Sequence, residues 1–290
     1  MHIGEITAAN VNEARIVAFI TFAFRRNRLQ YLFEVLKALG EYKVAELEAV
    51  VITDSESPDD HAEIYRLCRH VFGRGKTLRV LREETKDNPF ELTWSHKPHL
   101  KEAYLDNKRG FTHFIYLEDD MRLTFSNFCY FVHYENDLSE HGLIPSFMRY
   151  EYNHTVNDIC LSDHQGPVDL SNRPFVTVDN LKFICTDYPY IAFFIMTRRH
   201  MGEYIESNSF DMERSTQTHP WWIAERAAMG LTWENVPSGF TSRYAIAIQD
   251  GKPLPECYVH HTPNNYTNDY GEQRKSLAKL SPDQALLNRG

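Results

Sequence analysis

Residues 16–39 read IVAFITFAFRRNRLQYLFEVLKAL, and a change of period inside this stretch decides the fold. Ile16 to Phe24 is an unbroken run of aliphatic and aromatic residues, the pattern of a strand covered on both faces. From Arg28 onward the apolar residues fall at Leu29, Leu32, Phe33, Leu36 and Leu39, a helical stripe that ends at Gly40. The same alternation continues downstream. Leu47 to Thr53 predicts a second strand, followed by a polar loop over Asp54 to Asp60. His61 to Phe72 predicts a helix closed by Gly73, and Leu78 to Leu81 a third strand. His99 to Leu105 predicts part of another helix, and Phe111 to Leu117 the fourth strand. Strand–helix alternation with continuous apolar strands predicts an α/β fold with a mostly parallel, Rossmann-like central sheet flanked by helices. In such sheets ligands bind beyond the C-terminal ends of the strands.

The second half is less regular. Residues 141–180 are polar and mixed and predict long loops. Tyr190 to Thr197 (YIAFFIMT) predicts a strand, Arg199 to Glu206 a short helix, and Trp221 to Met229 a helix stopped by Gly230. After Tyr258 and Val259 comes HHTPNNYTNDYGEQRK, rich in turn formers, and then a polar tail. No repeat, low-complexity segment or clear linker interrupts the chain, so one domain over residues 1–290 is expected.

Composition bounds the function. The chain has 290 residues, 42% hydrophobic and 24% charged, enough for a sizeable core. A net charge of −9 argues against a general nucleic-acid binder, while leaving room for a local basic pocket. Cys68, Cys129, Cys160, Cys185 and Cys257 are scattered without zinc spacing and read as free thiols of a reducing compartment. The first residues lack the apolar core of a signal peptide, and no run reaches the ~18 apolar residues of a membrane span. The N-x-T triplets at Asn153 and Asn265 then read as chance matches, and a soluble cytoplasmic protein is expected.

The fourth strand ends in an unusual way. Residues 112–124 read THFIYLEDDMRLT, so three consecutive carboxylates, Glu118, Asp119 and Asp120, follow a buried apolar run. Such a cluster is expensive to bury without compensation. Carboxylates at a strand end can converge on Mg²⁺ or Mn²⁺, which leaves its other positions to water and substrate phosphates. The competing reading is a solvated acidic turn.

FIYLEDDMRLTFSNFCYF, together with IVAFITFAFRRNRLQYLFEVLKAL, resembles the glycosyltransferases of GT-A fold. In those enzymes a central strand ends in a D-x-D-type motif that holds a metal and the diphosphate of a nucleotide sugar. Their first strand ends in a polar or basic residue and feeds a helix near an R-x-x-x-L pattern. The EDD form is most similar to the Golgi N-acetylglucosaminyltransferases that act on N-glycans, and to bacterial polysaccharide glycosyltransferases. The likeness covers residues 15–130 well, 185–262 loosely and 135–180 hardly at all. It implies a nucleotide-sugar-binding half over 15–125, an acceptor-binding half over 126–262, and a C-terminal loop and tail over 263–290.

The resemblance also implies roles for particular residues. Glu118 and Asp120 would hold Mn²⁺ or Mg²⁺ and the diphosphate, with Asp119 orienting the donor sugar. Thr21, Phe22 and Arg25 or Arg26 would face the base and ribose, and Asp54 would bond the base. Lys97, within LTWSHKPHL, would approach the diphosphate or sugar, with Trp94, His96 and His99 beside it. His260 or His261 would complete the metal site, and the following PNNYTND would act as a lid. The base expected after the YIAFFIMT strand has no counterpart, since His219 and Pro220 stand in its place. Glu225 is the nearest helix carboxylate, Asp211 and Glu213 lie in the preceding loop, and an ordinary surface glutamate is the competing reading of Glu225. Tyr190, Trp221, Trp222 and Tyr188 could stack on acceptor sugars. The partners implied are a UDP-sugar donor and a glycan or small-molecule acceptor, with no nucleic acid. Inverting or retaining chemistry, peripheral membrane association and oligomeric state stay open. The expected activity is metal-dependent glycosyl transfer, of the kind that builds bacterial surface polysaccharide. A sugar-nucleotidyltransferase is the rival enzyme, but FAFRRNRLQ lacks the glycine-rich loop it needs. A non-catalytic carbohydrate- or metal-binding module is the rival of another class.

Overall fold

The computed structural model describes residues 11–85, 88–164, 166–218, 221–268 and 279–287. Its principal elements are β1 (Arg15–Phe22), α1 (Leu29–Gly40), β2 (Glu46–Thr53), α2 (Pro58–Cys68), β3 (Lys76–Arg82), α3 (His96–Leu105) and β4 (His113–Glu118). They continue with α4 (Phe125–Glu140), β5 (Met148–Asn153), β6 (Asp158–Leu161), β7 (Phe175–Val178), β8 (Leu181–Cys185), β9 (Phe193–Thr197) and α5 (Arg198–Glu206). The last are α6 (Ile223–Ala228), β10 (Tyr244–Gln249), β11 (Tyr258–His261) and α7 (Asn265–Asn268). The chain forms two compact units, one from Met1–Phe125 with Ala192–Glu234, the other from Ser126–Ile191 with Asn235–Gly290.

The first unit is the α/β sheet that the alternation predicts. Its strand order is β9-β4-β1-β2-β3, with β1 to β4 parallel and β9 antiparallel to β4. Every residue of β1 from Ile16 to Phe22 is buried, so both faces of the strand are covered. Each fully buried Ile, Val or Phe here contributes about 1.5–3 kcal/mol of burial free energy. On α1 the buried residues are Leu32, Val35, Leu36, Ala38 and Leu39, so the stripe keeps Leu32, Leu36 and Leu39 while Leu29 and Phe33 are only half-buried. Gly40 lets α1 end tightly against the turn after α2, since a Cβ there would lie 2.5 Å from the Val71 carbonyl oxygen.

Several boundaries shift for identifiable reasons. The helix expected over 61–72 begins at Pro58, because Ser57 caps it by accepting the Asp60 N–H and Pro58 occupies the first turn. The strand expected from Tyr190 begins only at Phe193. Ala192 has φ 58°, a left-handed conformation that breaks the extended run.

The second unit corrects the expectation of long loops over 141–180. That stretch contains β5, β6 and β7 and the short strands Ile144–Pro145 and Val168–Asp169. β7 pairs with β8 and β8 with β10, all antiparallel, while β5 pairs antiparallel with β6 and parallel with β11. Residues 175–185 read FVTVDNLKFIC, and Asp179 and Asn180 both take left-handed φ (50° and 65°), a two-residue hairpin turn. On α4, Tyr134 packs on Phe183 of β8 with ring centroids 5.0 Å apart, and the Tyr130 hydroxyl accepts the Ala247 N–H. Among the described residues no helix is long and apolar enough to cross a membrane.

Candidate functional site

The strand order of the first unit reverses between β1 and β4, the place where a doubly wound sheet opens a ligand crevice. The parallel register brings the strand ends level there, with Thr21 opposite Glu118 and Phe22 opposite Thr53. Asp54 starts the loop after β2, and its Oδ1 accepts the Phe24 N–H at 2.8 Å, tying that loop to the one after β1.

Across the switch point stands Arg28, at the junction between the short helical turn Arg26–Arg28 and α1. Its Nε and Nη2 donate to Asp119 Oδ2 and Oδ1 at 2.9 and 2.8 Å, and Nη2 also donates to Asp120 Oδ2 at 2.8 Å. This fork is a strong, charge-assisted arrangement. It does not fully offset the burial of Asp119. Burial and the adjacent Asp120 push the Asp119 carboxyl up to about 7, against the pull of Arg28. Burial disfavours the charge of Arg28, yet the bonds and charges of Asp119 and Asp120 raise its pKa overall.

Behind the carboxylates lies a buried aromatic layer. The Tyr116 hydroxyl sits 3.0 Å from Thr21 Oγ1, and its ring stacks on His96 with centroids 3.8 Å apart. His96 is fully buried, and burial and neighbouring Lys97 hold its pKa well below the usual value. The neutral ring places Nδ1 2.6 Å from the Thr93 carbonyl, so the proton resides on Nδ1.

The other sequence-stretch candidates of this unit spread more widely. Phe22 is wholly buried against Phe24, with ring centroids 5.5 Å apart. Arg25 bonds its neighbour's carbonyl at Phe24, and Arg26 pairs with Glu63 at 3.1 Å. Lys97 is buried: its ammonium lies 3.5 Å from the Trp94 ring centroid and donates to the Ser209 carbonyl at 2.6 Å. Burial drives its pKa well below the usual lysine value. Trp94 Nε1 donates to the Ile223 carbonyl at 2.7 Å, so Trp94 and Lys97 tie down Ile223 and Ser209 respectively. His99 lies 2.8 Å from Glu83. Asp211 Oδ1 accepts the N–H groups of Glu213 and Arg214, which closes a turn and lowers the Asp211 pKa. Glu225 lies in the first turn of α6, and its Oε2 is buried with no hydrogen bond among the described residues. Trp221 packs edge-on to Trp233, and Trp222 is 79% exposed. His219 and Pro220 lie outside the described residues.

Tyr190, His260 and His261 belong to the second unit. The Arg149 guanidinium covers the Tyr190 ring at 4.6 Å. His260 stacks on Tyr150 and its Nε2 lies 3.0 Å from Asn264. His261 is buried, with Nδ1 2.5 Å from Glu151 Oε1, while Glu151 Oε2 accepts the Thr267 N–H at 2.6 Å. That pairing fixes the ring. Of the proposed lid, residues 263–268 include α7, whereas Asp269 lies outside the described residues. Among the described residues no group of three or more His, Cys, Asp and Glu side chains forms a metal-holding cluster.

Sequence reasoning missed Arg28. Three arginines stand in RRNR, and only the turn over Arg26–Arg28 selects which one points at the carboxylates.

No protein-family model matches the chain. No curated protein matches it either. A solved structure that it resembles is TarS of S. aureus, residues 1–349, at 15% identity and a TM-score of 0.41. The match covers 87% of this chain and 62% of that one, so the chain spans less than two thirds of that structure's length.

Proposed function

We propose that the chain is a glycosyltransferase of GT-A type that takes a nucleotide-diphosphate sugar, UDP-linked, and transfers the sugar to a hydroxyl of a glycan or small acceptor. One observation carries the reading: Arg28 forks onto Asp119 and Asp120 at the switch point of the sheet, and Asp119 stays raised to about 7 by burial and by Asp120 despite that fork. A buried Asp119 raised to about 7 beside Asp120 would favour a bound cation, which supports this reading. Hard carboxylate oxygens suit Mg²⁺ or Mn²⁺, and Asp120 and Glu118 would hold such an ion with water and substrate oxygens in its other positions. Such an ion would supply charge neutralisation for the leaving diphosphate.

The chain's own residues do the rest. Asp54, at the end of β2, offers its Oδ2 to the base while Oδ1 fixes the loop that carries Phe24. Thr21 presents a hydroxyl held by Tyr116. Arg28 orients Asp119 toward the donor sugar and contributes positive charge beside the phosphates. Glu225 accepts the proton of the attacking hydroxyl, a role supported by its buried Oε2 with no hydrogen bond among the described residues. Lys97 and Trp94 act at one remove, by tying down Ser209 and Ile223 ahead of Glu225.

Thermal unfolding with UDP, with Mn²⁺ and with both tests the reading. UDP plus Mn²⁺ at about 100 times Kd should stabilise the wild type by about 2.7 kcal/mol. Asp120→Ala should remove that stabilisation. No response to UDP plus Mn²⁺ together with no turnover of any nucleotide sugar sinks the transferase reading and leaves the carbohydrate-binding module, whereas turnover of non-UDP donors alone corrects only the nucleotide.

A further inference from the structure

The second unit carries a cavity of about 440 Å³ on one face of the β7-β8-β10 sheet. The register explains its construction. Phe175 pairs with Ile184, and Lys182 with Ile248, two rows apart on the same face. Ile184 and Ile248 form an apolar floor, and the Phe175 ring stands 49% exposed at its edge with the Lys182 ammonium 4.6 Å from its centroid.

Two hairpin turns meet at one end of this face. Asp179–Asn180 joins β7 to β8, and Asp250–Gly251 joins β10 to the short strand Lys252–Pro253, all four residues with left-handed φ. Continuing the β8–β10 register by two residues sets Asn180 opposite Asp250. Both side chains line the cavity, and neither is engaged in a hydrogen bond or ion pair among the described residues. A second cavity of about 310 Å³ adjoins at Gly251, lined by Asp158, Lys252, Ser281 and Asp283.

We infer that this face is a carbohydrate-binding subsite that takes consecutive units of a neutral, linear glycan. An aromatic edge and an aliphatic floor suit the C–H face of a pyranose. An amide, an ammonium and a carboxylate around them offer both donors and acceptors, which hydroxyl groups need at once. The lysine and aspartate bring opposite charges, which favours a neutral ligand over an anionic one. A volume of about 440 Å³ lies in the range of small-ligand sites, and the adjoining cavity extends it along one direction. The subsite goes beyond the transferase reading and stands whether or not the first unit turns over a donor.

Calorimetric titration of the full chain with cellohexaose, maltohexaose and chitohexaose tests it. At least one should bind in the millimolar range or tighter. Phe175→Ala should weaken that binding about tenfold, the loss expected for one aromatic contact. Asn180→Gly and Asp250→Asn keep the left-handed turns and should each weaken it about 2–10-fold. Asp120→Ala should leave saccharide binding unchanged, which separates this site from the donor site. Failure of all three saccharides to bind, or binding indifferent to all three groove substitutions, overturns the inference.

Discussion

The first unit holds two buried clusters of charge, and they are built on opposite principles. On β2, Glu48 is 3% exposed and meets two guanidinium groups, Arg79 at 3.0 Å and Arg109. At the switch point Asp119 and Asp120 share the guanidinium of Arg28. Glu48 is thus covered by cations that the fold itself supplies, and both arginines keep part of their surface in water. Asp119 remains raised to about 7 despite its bidentate partner. The difference argues for function at Asp119 and Asp120 more strongly than the count of acids in EDD.

Breaking each cluster should therefore give different readouts. The largest effect belongs to Asp120→Asn, which should lower donor turnover by about 10²–10³-fold, the size seen when a group that stabilises developing charge is lost. Its melting temperature in the ligand-free state should stay close to wild type. A large fall in stability with turnover intact would assign Asp120 to structure instead.

Next comes pH. Asp119 has a folded-state pKa raised from 3.8 to about 7, so the folded chain binds more protons than the unfolded one between those values. Metal-free protein should then lose stability as pH rises from about 4 to about 7, by up to ~1.4 kcal/mol per pH unit. Asp119→Asn should flatten this part of the profile, and added Mn²⁺ should oppose the loss in the wild type. Denaturant melts across that range measure it.

Glu48→Gln should do the converse of Asp120→Asn. It leaves two arginines with partial access to water, so a loss of about 1–2 kcal/mol in stability is expected, with donor binding unchanged. Arg79→Ala should have the smallest effect, no more than about 1 kcal/mol, because that guanidinium is half exposed and Arg109 still covers Glu48. A change in donor affinity from either substitution would blur the distinction between the clusters.

Legibility in the sequence followed the range of the interactions. β1, β2, β4 and α1 could be read because each repeats a local period, continuous for buried strands and 3.6 for the amphipathic helix. The strands between residues 144 and 178 escaped, being two to six residues long, and Ile144–Pro145, β5 and Val168–Asp169 also pair with partners far along the chain. A signal existed in FVTVDNLKFIC, where alternation flanks a two-residue turn. At the site, EDD was visible as an apolar run ending in acids, whereas Arg28 was indistinguishable from Arg25 and Arg26. Lys97 illustrates the reverse case. The resemblance implies a role for it beside the diphosphate or sugar, while the fold wraps it in Trp94, Tyr204 and Phe210 and gives it the Ser209 carbonyl.

The sequence by itself determined the alternation, and with it a parallel sheet whose strand ends carry Asp54 and the three acids. Those features depend on periodicity and on the position of charge relative to a buried run. Only the tertiary structure decided the strand order, and so the switch point between β1 and β4 where Arg28 meets Asp119 and Asp120. It also decided that Asn180 and Asp250 share one end of a sheet face. Neighbours separated by some 70 to 90 residues are chosen by register and packing, which no local pattern encodes.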